Sequence, residues 1–139
     1  MTETQPGFAG IRGRPLPVRA VLALLAAVLV NAALVWVVGA VDLAPGFQAL
    51  TYPPVVFLST VGALGATAVY ALLGRFVDDV DRTFTRVAAV VLVLSFVPDL
   101  GLLVGDPAAT VPGVVVLMVM HVVVAVASVL ALVGGVRLR

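Results

Sequence analysis

Four stretches of the chain are almost wholly apolar, with short polar breaks between them: Ala20–Val41, Val55–Leu73, Val87–Val104 and Gly113–Val133. Each approaches the roughly 20 residues that a helix rising 1.5 Å per residue needs to cross a bilayer core of about 30 Å. A membrane β-strand would be about 10 residues long and would alternate apolar with polar positions, which these runs do not. The first run is longer than the roughly 7–15-residue core of a signal peptide, and three more follow it, so it reads as an uncleaved span. The pattern predicts an all-α bundle of four transmembrane helices at about residues 20–41, 55–73, 87–104 and 113–133. They form a single membrane domain over 17–139, behind a flexible tail over 1–16 that holds Pro6, Gly7, Gly10, Gly13 and Pro15. No short repeat recurs at a fixed period, which excludes a solenoid.

Proline refines the spans. Pro53 and Pro54 open the second run and Pro112 precedes the fourth, where a missing N–H has no intrahelical partner to lose. Pro98 is different, because it falls inside the third run. It cannot donate to the carbonyl of Leu94, so the third helix is expected to kink there or to fade early. Ser95, Asn31 or a water is the expected partner for that carbonyl.

Charge sets the orientation. All eight basic residues are Arg: Arg12, Arg14 and Arg19 before the first run, Arg75, Arg82 and Arg86 between the second and third, and Arg137 and Arg139 at the end. Loops 42–54 and 105–112 hold no basic residue. The positive-inside rule then makes both termini cytoplasmic and predicts a multi-pass protein of the plasma membrane. Trp36 and Tyr52 fall near the outer interface and Tyr70 near the inner one, as aromatic belts prefer.

Composition excludes more than it assigns. The chain has 139 residues, 63% of them hydrophobic and 11% charged, with a mean hydropathy of +1.25. Four spans with short loops leave no room for a soluble domain. Without cysteine there is no disulfide, thiol chemistry or cysteine metal site. A net charge of +1 gives no case for nucleic acid. A four-helix haem carrier needs paired His ligands and this chain has one His. Asp78, Asp79 and Asp81 stand among arginines in the 75–86 loop. Adjacent carboxylates without a Gly-containing ligand loop are a poor calcium signature, so a solvated turn and an N-cap are expected there. No catalytic residue, cofactor or metal site is predicted.

The chemistry that remains is the set of polar residues inside the spans, which usually point into the bundle. Counting about 1.5 Å per residue puts Asn31 and Ser95 near the midplane and Thr60, Asp99 and His121 within roughly 3–6 Å of it on the outer side. These five residues form a candidate intramembrane polar layer. Ser95 and Asp99, spaced i,i+4, share a helix face, as do His121, Ala125 and Ser128. Asp99 belongs either to the bundle or, if the third helix ends at Pro98, to the outer loop. The expectation for His121 is a neutral, hydrogen-bonded place in a layer with Asn31 and Thr60. On the second helix Thr60, Ala63, Thr67, Tyr70 and Gly74 make a small and polar stripe suited to close packing, which predicts that this helix is the most enclosed. Ala127, Ala131 and Gly135 offer a second small face on the fourth.

Asn31 in the first span, Ser59-Thr60 in the second, Ser95-Phe-Val-Pro98 in the third and a central His121 in the fourth resemble an uncharacterised prokaryotic four-helix integral membrane family. The resemblance covers about residues 17–135 and implies a fold without an activity. The expected function is a non-enzymatic accessory, scaffold or interaction protein. The alternative is a small oligomeric transporter or proton-handling protein built on the His/Asp/Asn layer. The expected partners are the lipid bilayer and either another copy of the chain or another membrane protein.

Overall fold

The computed structural model describes residues 13–133, and in them four long helices follow one another. They are α1 (Leu16–Ala40), α2 (Tyr52–Phe76), α3 (Val80–Gly105) and α4 (Val111–Leu132), with a 3₁₀ turn at Gln48–Leu50 between α1 and α2. All four are long and apolar enough to cross a membrane. Arg12, Arg137 and Arg139, most of the 1–16 tail, and Gly135 of the small α4 series lie outside the described residues.

The helices begin where local chemistry lets them. Pro17, Pro53 and Pro112 occupy first turns, as the apolar pattern anticipates for the latter two. Asp79 caps α3 by accepting from the Arg82 N–H at 3.2 Å, and Thr110 caps α4 by accepting from the Gly113 N–H at 3.2 Å. That cap starts α3 seven residues before its apolar run. Pro98 does not end α3, which continues to Gly105. One missing bond costs less than ending a helix inside hydrocarbon, which would expose several carbonyls at once.

Packing is uneven. α1 lies against α2 and α4, and α3 lies mainly on α4. The buried residues of α1 are Arg19, Ala23, Ala27, Asn31, Val35 and Val38, a row spaced by four and, at its last step, three that turns one face inward. Ala23 and Ala27 are fully buried, as is Ala63 of α2, so backbones approach closely along this seam. The expectation that α2 is the most enclosed helix is corrected: within the apolar windows 28% of α1 and of α4 is buried, against 22% of α2 and 6% of α3.

The core divides in two. At the end holding Asp42 and Asp106, Val35, Val38, Phe47, Leu50, Val55, Val114, Leu117 and Met120 cluster under the first loop. At the opposite, basic end, Tyr70, Val80, Phe84 and Leu132 cluster. Between them α2 and α3 draw apart.

Candidate functional site

The interior polar groups divide into two connected pairs at one level. Asn31 is 1% exposed, and its amide nitrogen donates to Ser59 Oγ on α2 at 2.9 Å and to the Met120 carbonyl on α4 at 3.4 Å. One side chain thus links three helices. Next to Met120 on α4, His121 Nδ1 lies 2.9 Å from the Leu117 carbonyl one turn back and 2.9 Å from Asp99 Oδ2 on α3. The N–H is aimed at the carbonyl, and Asp99 Oδ2 stands at ion-pair distance without a directed hydrogen bond. Both neighbours of Nδ1 are acceptors, so Nδ1 carries a proton and Nε2 is the ring's remaining polar atom. Asp99 is 6% exposed and sits well inside α3, which resolves its two open placements in favour of the bundle.

Two residues of the expected layer are placed differently. The Thr60 hydroxyl donates back to the Val56 carbonyl at 2.8 Å, and Ser59, its chain neighbour, takes the inward position. The inward face of α2 is Val55, Ser59, Ala63 and Tyr70, so the stripe holds at Ala63 and Tyr70, while Thr60 and Thr67 lie to its side and Gly74 outside it. The Ser95 hydroxyl donates to the Leu92 carbonyl at 2.6 Å. It therefore does not serve Leu94, and neither does Asn31, whose donors go to Ser59 and Met120.

A cleft of about 410 Å³ opens along the sparse α2–α3 seam, with α4 as its back wall. Asn31, Ser59, Ser95, His121 and Ser128 line it among apolar side chains, and among the lining residues none is Arg, Asp or Glu. On two of the lining residues a buried polar atom, Asn31 Oδ1 and Ser128 Oγ, has no hydrogen-bond partner among the described residues. Gly65 also lines the cleft, and a Cβ added there would meet nothing within 4 Å.

The sequence reading missed the lock at the basic end. Arg19, treated there only as a topology charge, is 1% exposed. Its NH1 donates to the Leu132 carbonyl at the end of α4 at 2.6 Å, and its Nε donates to the Arg14 carbonyl at 3.1 Å. Its guanidinium lies 5.6 Å from the centre of the Tyr70 ring. Tyr70 meets Phe84 edge-on at 5.2 Å and donates from its hydroxyl to Asp81 at 2.8 Å. All four helices meet here. The available signal was the spacing of Arg19 from Ala23, Ala27 and Asn31, which puts it on the inward row.

Four apolar helices around a polar interior define a four-helix membrane protein domain. The chain belongs to the family of unknown function DUF6069, which matches residues 11–138. No curated protein and no solved structure matches it.

Proposed function

We propose that this chain is a non-enzymatic membrane protein whose working part is the α2–α3 cleft, which receives a molecule dissolved in the bilayer. The observation that carries this reading is the cleft itself. Its volume lies in the roughly 300–1,000 Å³ range of small-molecule sites, and its walls are apolar with a few convergent polar groups. The arginine distribution supports cytoplasmic termini, and the resemblance of the span motifs supports a prokaryotic plasma membrane. An accessory role, delivering or holding a membrane-soluble compound for another protein, fits these features.

The test is mass spectrometry of small molecules that co-purify in mild detergent, wild type against Gly65→Phe. The variant fills the cleft from a position with free space. The proposal expects a stoichiometric compound in wild type that is depleted in the variant. Equal content in both would overturn it.

The Asp99–His121 contact favours a second reading, a proton-handling protein. In proteoliposomes, His121→Ala and His121→Gln should be compared with wild type for proton flux. Gln keeps hydrogen bonding but does not titrate in this range. Flux lost in both variants supports this reading, and flux retained in the Gln variant removes it.

A further inference from the structure

We infer that the cleft selects a neutral, hydroxyl-bearing amphiphile, held by its hydroxyl at the level of Asn31 and His121 with its hydrocarbon body along the α2–α3 seam. The inference rests on the reading of the cleft as a binding site and names its ligand class.

Depth comes first. Asn31 lies three residues from the middle of α1, about 4.5 Å along the axis, so its level is near the centre of the span. A charged group there is costly without a counter-charge, and the one titratable lining residue, His121, already stands 2.9 Å from Asp99. A neutral head is therefore favoured over a phosphate or carboxylate.

Hydrogen-bonding type comes second. Asn31 Oδ1 is an acceptor without a partner, on a side chain 1% exposed whose amide nitrogen is already committed to Ser59 and Met120. It requires a donor. His121 also lines the cleft, and its side chain is 36% exposed. With Nδ1 turned to Leu117 and Asp99, Nε2 is what the ring has left to offer. Nε2 accepts in the neutral ring and donates in the charged one, and a hydroxyl can answer either. Farther along the wall, Ser128 Oγ is a second buried, unpartnered polar atom, about 10 Å from the His121 level by helical rise. A hydroxyl is the smallest neutral group that meets Asn31 Oδ1 as a donor and His121 Nε2 in both of its states.

The apolar body is set by the remaining lining. Leu58, Val61, Val69 and Val91 border the opening and are themselves exposed on the bundle surface, so a ligand enters sideways from lipid. Gly62 and Gly65 keep the α2 wall low.

The experiment is native mass spectrometry of the full chain released from nanodiscs, titrated with 4-decylphenol, 4-decylanisole or decylbenzene. The three probes share a body; the first donates and accepts, the second only accepts, and the third does neither. The inference expects the phenol to bind about tenfold tighter than decylbenzene, a ratio in the range of one or two net hydrogen bonds, and tighter than the anisole. Gly65→Phe should abolish that binding, and Asn31→Leu should bring the phenol down to the anisole. If Asn31→Leu does not fold, the anisole comparison in wild type decides alone. Equal binding of all three probes, lost in Gly65→Phe, would leave the cleft standing and overturn hydroxyl selection. No binding of any probe would overturn both readings. A wild-type dimer that Gly65→Phe converts to monomer would assign the cleft to a second copy of the chain and overturn the inference.

Discussion

At the scale of single residues, the interior polarity was legible as a set and not as a wiring. Asn31, Ser95, Asp99 and His121 stood out because each is a polar side chain among apolar ones, Asp99 and His121 being of types rare in a span. What they bond to was not legible, since adjacent positions on a helix differ by about 100° and one residue decides which hydroxyl faces in. Ser59 and Thr60 illustrate this: both lie within one turn of Ala63, and the structure gives Asn31 to Ser59. Arg19 was missed for another reason. Its burial depends on where α4 ends, and that contact spans 113 positions of sequence. Replacing Arg19 with Met keeps the packed stem and removes its charge-assisted bond to Leu132. A loss of about 1.5–3 kcal/mol in unfolding free energy in detergent is expected. Asn31→Leu should cost less, about 0.6–1.7 kcal/mol, as interhelical hydrogen bonds in membranes do. Chemical unfolding of both variants orders them, and Asn31 costing more than Arg19 would reverse this assignment of the lock.

At the scale of elements, the four helices were legible because apolar length is a strong signal, whereas their enclosure was not. Hydropathy does not distinguish lipid from a neighbouring helix, so α3, with 6% of its window buried, reads as apolar as α1. Pro98 likewise marked a kink or an early end, and α3 runs through it to Gly105. Close approach can be tested glycine by glycine. A Cβ at Gly62 would meet Val124 Cγ1 at 2.9 Å, whereas one at Gly65 meets nothing within 4 Å. Gly65→Ala should raise stability by about 0.5–1 kcal/mol through reduced backbone freedom, and Gly62→Ala should lose that gain to the clash. Ala63 is fully buried, so Ala63→Leu should cost about 1–3 kcal/mol by overpacking. Melting temperatures in one detergent compare all three variants, and an unchanged value for Ala63→Leu would contradict the tight α1–α2 seam.

At the scale of the whole molecule, the chain is a bundle tied at both ends and parted in the middle. The Arg19–Tyr70–Asp81 lock closes the basic end. Phe47, packed close enough that a Cβ on Gly113 would stand 3.1 Å from its ring, closes the other. Orientation follows from charge alone, so reporter fusions at residues 48, 80 and 108 should read outside, inside and outside. The division of the core was not legible in the sequence, because the residues around the gap are as apolar as those that fill the two clusters. The most direct measurement of the open α2–α3 seam uses the absence of native cysteine. A single cysteine is placed at position 58, at the exposed rim of the cleft, or at position 64, an exposed neighbour outside its lining, and each carries a nitroxide label in nanodiscs. Adding 4-decylphenol is expected to slow the label at 58 and to leave the label at 64 unchanged. The same response at both positions, or none at 58, would contradict a cleft that binds from the lipid side.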